Sequence, residues 1–238
     1  MHRSGTSCLA GSLEAAGLIL GPVNTKALFN KKGNREHEQI RDLHEEIFKR
    51  HRHSWTLPPL QQIAFTSDDQ IQLRTHLAEL YKGKAWGIKD PRAIYFAEAW
   101  KKMTNCRFIG TFRHPLEVAN SLISRARVWK QELSKHEALA LWRKYNFELI
   151  KLYNAHPFPI VRYDVGREIY GKQIIRLSDK IGLDSHAACS FFSDGLTHEK
   201  ISSDEVPDDC LQIWHALMDA WVDSFDDIAS SHLVQYKL

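Results

Sequence analysis

The sequence predicts an α/β fold in which a short central parallel sheet is flanked by helices. The 238-residue chain has 43% hydrophobic and 11% aromatic residues, which is enough apolar material for one sizeable core. From residue 85 onward, short apolar runs of strand length alternate with longer amphipathic segments. No internal repeat or Gly/Ser-rich linker interrupts the chain, so we predict a single domain over residues 1–238.

Apolar residues at helical spacing, and Gly or Pro where a helix would stop, predict the helical elements. Ile40, Leu43 and Ile47 form one apolar face within a strongly charged segment. Gly21 and Pro22 mark the expected end of the first helix. Helices are expected at residues 7–20, 36–53, 68–82, 93–103, 116–129, 136–154, 167–181 and 211–230.

Three apolar runs have the length of a buried strand. They cover residues 85–88, 107–112 and 159–163. Because helical segments separate them, we expect a parallel sheet with helices on both faces. Ligands of such sheets bind at the carboxyl ends of the strands.

Charge and cysteine content exclude several classes of protein. The chain has 32 Lys and Arg against 29 Asp and Glu, a net charge of +3 that gives no basic stripe for nucleic acid. No run of about 18 apolar residues predicts a membrane span. The four cysteines lie too far apart for a disulfide framework, and the polar N-terminus lacks the apolar segment of a signal peptide, so a cytoplasmic location is expected. The run Arg-His-Arg-His at residues 50–53 has no second ligand pair, and no metal is predicted.

The first candidate site is residues 2–7, His-Arg-Ser-Gly-Thr-Ser, which lead directly into a predicted helix. A tight Gly-containing loop at a helix N-terminus points several backbone N–H groups at one spot, and such a spot binds phosphate. Arg3 adds a guanidinium, and Thr6 and Ser7 add hydroxyls. A simple cap and turn is the alternative. Thr6 stands where a nucleotide triphosphatase loop has its Lys, which argues against metal-assisted ATP chemistry.

The second candidate site lies about a hundred residues further on. Arg113 ends a predicted strand, and Ser121 lies on the helix that Pro115 opens. A long, planar Arg at this position can reach over the first helical turn and share an anion with the Ser121 hydroxyl. A surface Arg and a small packing residue are the alternative roles.

Together the two segments resemble the 5′- and 3′-phosphate-binding motifs of sulfotransferases that use 3′-phosphoadenosine 5′-phosphosulfate (PAPS), in their bacterial, carbohydrate-type branch. Residues 86–92, Trp-Gly-Ile-Lys-Asp-Pro-Arg, resemble that family's second strand end, and residues 160–164, Ile-Val-Arg-Tyr-Asp, resemble its nucleotide-touching Tyr segment. The match runs over about residues 1–182, and residues 191–198 resemble the divergent tail of bacterial members. The Arg-Lys-Gly signature of cytosolic small-molecule sulfotransferases is absent.

The resemblance implies a P-loop-like three-layer fold and a donor site without metal. Residues 3–7 would hold the 5′-phosphosulfate, and Arg113 with Ser121 would hold the 3′-phosphate. The implied donor-binding residues are Arg3, Ser4, Gly5, Thr6, Ser7, Arg113, Ser121 and Tyr163.

Sulfuryl transfer needs a cation at the bridging oxygen and a base for the acceptor hydroxyl. Arg3 and Lys89 are the expected cations, and a surface position is the alternative for Lys89. Glu36 is the first candidate base, because it follows a flexible loop as in carbohydrate and protein sulfotransferases; its alternative is a first-turn acid that favours the helix dipole. Asp90 is the second candidate, and its alternative is to cap the helix after Pro91.

The acceptor and the start of the fold stay open. The resemblance suggests a carbohydrate or small-molecule acceptor, and the variable loop at residues 24–34 would form part of its pocket. A phosphate-binding loop normally follows a buried strand, yet Met1 already lies in the loop. We therefore expect that first strand upstream, with a natural or engineered truncation as the alternative, and poor stability without the strand. The alternatives to a sulfotransferase are a kinase-like P-loop phosphotransferase and a degenerate, non-catalytic P-loop module. The oligomeric state is not predicted.

Overall fold

Helices make up most of the chain, and one short pair of parallel strands lies among them. The computed structural model describes residues 1–28, 30, 32–78, 80, 85–191 and 205–228. A 3₁₀ turn (Pro91–Phe96) precedes the fourth helix, and the strands are β1 (Gly110–Phe112) and β2 (Ile160–Arg162). The helices are α1 (Thr6–Ala15), α2 (Glu38–Arg50), α3 (Ser67–Ala78), α4 (Ala97–Thr104), α5 (Pro115–Val128), α6 (Lys135–Ala155), α7 (Gly166–Ile181), α8 (Ser185–Ala188) and α9 (Asp208–Ser224).

The parallel strand pair confirms the predicted α/β class. Gly110, Thr111 and Phe112 pair in register with residues 160–162, and β1 is buried throughout. Between the strands the chain passes through α5 and α6, which form the helical crossover that a parallel pair requires. The pair brings the start of α5 and the residues after β2 to the same edge of the sheet.

The predicted strand over residues 85–88 is wrong. Trp86 makes a single parallel bridge to Ile19, in which the Ile19 N–H donates to Ala85 and the Gly87 N–H donates to Ile19. One bridge residue on each side is too short for a ladder, and Pro91, which has no N–H, soon follows. The segment is nevertheless extended and brings Lys89 to the vicinity of α1.

The first helix ends five residues before its predicted limit of residue 20. The Gly17 N–H donates to the Glu14 carbonyl, and the Leu18 N–H donates to the Leu13 carbonyl. With Gly17 at a φ of 102°, this is a Schellman motif, which stops the helix at Ala15. The chain after Gly17 is therefore extended, and this allows Ile19 to reach Trp86.

The other predicted helices are present with shifted ends. The helix predicted from residue 93 begins earlier as the 3₁₀ turn, and α2 starts at Glu38, so Glu36 precedes the helix. Residues 79 and 81–82 of the predicted third helix, 229–230 of the predicted last helix, and 192–198 of the tail that resembles bacterial members lie outside the described residues.

One apolar core joins the elements. Its five largest fully buried side chains are aromatic and come from the 3₁₀ turn and from α6, α7 and α9, namely Tyr95, Trp142, Tyr145, Tyr170 and Trp221. Extensive packing of α5 on α6 and of α6 on α9 fixes the crossover helices behind the strand pair. Among the residues that the structure describes, no helix has the length and apolar character needed to cross a bilayer.

Candidate anion-binding and catalytic site

A cavity of about 540 Å³ opens beside the N-terminal turn of α1. Its volume lies within the range of small-molecule sites. Residues from α1, the loop before α2, α2 itself, the segment before the 3₁₀ turn, the end of β1 and the end of α5 line it. Cationic side chains outnumber carboxylates in this lining: Arg3, Lys32, Arg41, Lys89, Arg92, Arg113 and Arg125 against Glu36, Asp42 and Glu45. The cavity therefore favours an anionic ligand.

The first turn of α1 faces the cavity. Gly5 caps the helix in the left-handed conformation with a φ of 81°, and no side chain caps it. The N–H groups of Thr6, Ser7 and Cys8 have no helical carbonyl partner at this end of α1, and all three residues line the cavity. A Cβ on Gly5 would lie 2.3 Å from the Tyr163 ring, so this position requires Gly. The turn thus has the predicted geometry, a Gly-containing loop that leads into a helix N-terminus.

Ser4 anchors the turn instead of lining the cavity. Its carbonyl accepts a 3.0 Å hydrogen bond from the Thr111 hydroxyl of β1. The Ser4 side chain is fully buried, and its Oγ has no hydrogen-bond partner in the structure. Ser4 therefore ties the turn to the end of the strand pair.

The Ser7 hydroxyl holds the loop that precedes α2. It donates to the Asn34 carbonyl at 3.0 Å, and the Asn30 side-chain amide donates to Ser7 Oγ at 3.1 Å. At the other end of α1, Glu14 pairs with Arg35 at 2.5 Å. Helix α1 thus fixes this loop at two points, and the loop leads directly to Glu36.

The two predicted anion-binding segments meet at this cavity. Arg3 Nε donates to Ser121 Oγ at 2.8 Å, across 118 residues of sequence. Arg113 lines the same cavity, with its guanidinium 5.7 Å from the centre of the Tyr163 ring. The Arg113 Nε donates to Glu117 at 2.7 Å. The sequence predicts that Arg113 and Ser121 share an anion, and in this structure the Ser121 hydroxyl contacts Arg3. The partner Glu117 was not anticipated, although its four-residue spacing from Arg113 is visible in the sequence.

The predicted cation Lys89 and the predicted base Glu36 form one buried ion pair. Lys89 Nζ donates to Glu36 Oε1 at 2.7 Å, and the two side chains are 10% and 8% exposed. Arg92 lies 4.0 Å from the other Glu36 oxygen and 3.1 Å from Glu45. Both Glu36 and Lys89 line the cavity, so they are accessible to a ligand there.

Asp90 lies in a buried network behind this pair. His44 Nδ1 is 2.8 Å from Asp90 Oδ2, and the Trp100 indole N–H donates to His44 Nε2 at 3.0 Å. Because Nε2 accepts from the indole, Nδ1 carries the proton and donates to Asp90. Burial alone would raise the pKa of Asp90, but the Arg92 charge and the His44 hydrogen bond hold it well below its usual range.

The Asp90 side chain also caps the 3₁₀ turn. It accepts a 2.9 Å hydrogen bond from the Arg92 N–H, and Asp90 is not among the residues that line the cavity. This arrangement matches the capping role given above as its alternative. It favours Glu36 over Asp90 as the group that contacts an acceptor.

Tyr163 lies under the α1 turn, with its ring against Gly5. Burial raises the pKa of Tyr163 to about 12, and the neighbouring Cys8 adds to the shift while Arg113 opposes it. Its phenol is therefore neutral at physiological pH and adds no charge to the cavity wall.

Three further cavity residues were not identified from the sequence: Trp55, Arg125 and Trp129. Arg125 and Trp129 follow Ser121 at four-residue intervals along α5 and its C-cap. This spacing was available in the sequence as a signal. The position of Trp55 depends on tertiary packing, because its carbonyl is held by the Tyr145 hydroxyl of α6.

No family model, curated protein or solved structure matched this chain. Within the described ranges, no group of three or more His, Cys, Asp and Glu side chains has the arrangement of a metal site.

Proposed function

We propose that the protein is a sulfotransferase that moves a sulfuryl group from PAPS to a hydroxyl of a carbohydrate acceptor. The observation that carries this proposal is the contact between Arg3 and Ser121 beside the cationic cavity. It joins the segments that resemble the 5′- and 3′-phosphate-binding motifs of the family. One ligand with an anionic group at each end would explain why both segments border one cavity.

The proposed donor site uses main-chain and side-chain groups together. The N–H groups at the start of α1 and the Arg3 guanidinium bind the 5′-phosphosulfate. Arg113 and Ser121 bind the 3′-phosphate, and Tyr163 lies beside the nucleotide. The excess of cations in the lining and the 540 Å³ volume fit a nucleotide of this charge and size.

Glu36 and Lys89 divide the chemical work. Glu36 takes the proton of the acceptor hydroxyl, and Lys89 and Arg3 stabilise the negative charge that develops on the leaving oxygen. The donor supplies the sulfuryl group: the acceptor oxygen forms a bond to sulfur as the bond from sulfur to the bridging oxygen breaks, and its electron pair stays on the phosphate. The products are a sulfate ester and adenosine 3′,5′-bisphosphate.

A kinase-like phosphotransferase is the alternative enzyme, and Thr6 in place of the loop Lys is the observation against it. Calorimetric titration separates the two. We expect adenosine 3′,5′-bisphosphate to bind without magnesium and more tightly than ATP. Tighter binding of ATP with magnesium would instead support the phosphotransferase, and bisphosphate binding without transfer to any acceptor would support the non-catalytic module.

Substitution of Glu36 tests the assignment of the base. Glu36→Gln should lower turnover by about 10²- to 10⁴-fold while the affinity for adenosine 3′,5′-bisphosphate stays near the wild-type value. Glu38→Gln is the matched control, because Glu38 is exposed, lies two residues away and does not line the cavity. Asp90→Asn should mainly lower stability. Full turnover in Glu36→Gln would remove Glu36 from the mechanism.

A further inference from the structure

Helix α5 carries a line of side chains from the donor site to the mouth of the cavity. Ser121, Arg125 and Trp129 follow one another at four-residue spacing, so they share one face of the helix. At 1.5 Å per residue, Trp129 lies about 12 Å along the helix axis from Ser121. Ser121 is buried against Arg3, whereas the Trp129 side chain is 56% exposed and lines the cavity. These three side chains therefore run from the proposed donor site to an exposed aromatic ring that an acceptor can contact.

Trp55 is a second aromatic residue that lines the same cavity, and we call Trp55 and Trp129 the aromatic wall. The Arg125 guanidinium lies 5.8 Å from the centre of the Trp55 ring, and the His2 ring lies 4.8 Å from Trp55 on centroids. Burial lowers the pKa of Arg125, while the charge of Glu36 opposes that shift. Arg125 thus interacts with both Trp55 and the proposed base. Aromatic rings beside a hydroxyl-activating carboxylate suit a ring-shaped, hydroxyl-bearing molecule.

Charge balance restricts what that molecule can be. The lining has seven cations and three carboxylates, a formal excess of four positive charges. Two of these cations also pair with carboxylates outside the lining, Arg113 with Glu117 at 2.7 Å and Arg92 with Asp90 at 3.3 Å. The proposed donor carries about four negative charges, so it more than offsets the remaining positive charge when it binds. Near the proposed base, three cations form carboxylate pairs: Lys89 with Glu36 at 2.7 Å, Arg92 with Glu45 at 3.1 Å and Arg41 with Asp42 at 2.6 Å. An acidic acceptor would enter a site whose positive charge is already compensated.

We infer that the acceptor is an uncharged sugar whose ring packs against Trp129 and Trp55 with its reacting hydroxyl toward Glu36. This inference rests on the proposed sulfotransferase function. Asp42, Glu45 and Arg41 offer hydrogen-bonding groups of both kinds to the remaining ring hydroxyls. A carboxylate or sulfate on the acceptor ring would instead face Asp42 and Glu45, which already pair with Arg41 and Arg92.

Matched pairs of acceptors test the charge requirement. Methyl glycosides of glucuronic and galacturonic acid, and short oligomers of each, are compared with their neutral C6 methyl esters, which have the same hydroxyl groups, with ³⁵S-labelled PAPS as donor and the methyl glycosides of glucose, galactose and N-acetylglucosamine as further neutral acceptors. We expect a neutral member to be sulfated with a kcat/KM at least about tenfold above that of its uronate. Equal or faster sulfation of the uronates would overturn the inference.

The failure of the underlying function gives a different result. If the protein does not bind adenosine 3′,5′-bisphosphate in calorimetry, the donor site itself is wrong and the acceptor inference falls with it. If the bisphosphate binds but no neutral sugar in the panel is sulfated, the donor site stands and the acceptor inference is overturned.

A variant pair tests the aromatic wall. Trp129→Ala should raise the KM for the neutral acceptor about fivefold and leave the KM for PAPS unchanged. Phe147→Ala is the matched control, because Phe147 is also an aromatic residue with 56% exposure but lies on α6 and does not line the cavity. An unchanged acceptor KM in Trp129→Ala, or an equal change in both variants, would overturn the role of this ring.

Discussion

The α1 turn (residues 3–7) and the Glu36 network border the same cavity, but they are constructed from different groups. The turn presents main-chain N–H groups at a helix N-terminus, with Gly5 in a conformation that favours Gly. The Glu36 network consists of polar and charged side chains in contact with one another, most of them buried: Glu36, His44, Glu45, Lys89, Asp90 and Arg92. Most groups that the turn offers to the proposed anion are main-chain N–H groups, which substitution does not remove. Removal of a charged member such as Arg92 leaves the buried Asp90 carboxylate without its main opposing charge.

This difference has a physical basis in the two tasks that we propose. Holding a phosphosulfate needs fixed donors whose positions do not depend on protonation. Moving a proton needs a carboxylate whose surroundings control its charge. The comparison predicts that substitutions in the network mainly lower stability and turnover. Substitutions of the turn's side chains should have only small effects on ligand affinity.

Arg92→Ala should have the largest effect. Arg92 contacts the buried Asp90 at 3.3 Å and the part-exposed Glu45 at 3.1 Å, and its own side chain is 3% exposed, so its loss removes the main opposing charge of the buried Asp90 carboxylate. We expect the free energy of unfolding to fall by about 3–5 kcal/mol in urea denaturation. Arg176→Ala is the control, because Arg176 and Asp227 form an exposed pair, and we expect a loss of about 1 kcal/mol or less. Similar losses in both variants would remove the distinction between the network and an ordinary surface pair.

Ser7→Ala should have a smaller and more selective effect. The variant loses the hydrogen bonds to Asn30 and Asn34, which hold the loop before Glu36, at a cost of about 1 kcal/mol. We expect turnover to fall about fivefold, while calorimetry gives an affinity for adenosine 3′,5′-bisphosphate within about twofold of wild type. A loss of affinity of about tenfold, with the loop intact, would instead make Ser7 an anion ligand, as the family resemblance implies.

Local patterns predicted much of the fold. The strands β1 and β2 were predicted from short apolar runs, and the start of α5 was predicted from Pro115. The end of α1 was missed because Gly17 and Gly21 are both plausible stop signals, and only the hydrogen bonds of Glu14 and Leu13 show which one acts. The bridge between Ile19 and Trp86 depends on packing between distant segments, which no local pattern contains.

The site shows the same limit. The sequence identified the segments around Arg3 and Arg113, because loop chemistry and residue spacing are local features. The hydrogen-bond partners of the candidate site residues come from distant parts of the sequence: the Ser7 hydroxyl donates to the Asn34 carbonyl, and His44 donates to Asp90. Helix spacing could have revealed Glu117, whereas the other partners required the tertiary structure.

The central claim is that two segments distant in sequence bind the two ends of one nucleotide. Its most direct test is the ratio of the affinities for adenosine 3′,5′-bisphosphate and adenosine 5′-monophosphate, measured by calorimetry in the wild type and in Arg113→Ala. The wild type should prefer the bisphosphate by about 30-fold, which corresponds to about 2 kcal/mol for charge-assisted hydrogen bonds to the 3′-phosphate, and Arg113→Ala should abolish most of that preference. Equal affinity for the two nucleotides in the wild type, or an unchanged ratio in Arg113→Ala, would contradict the claim.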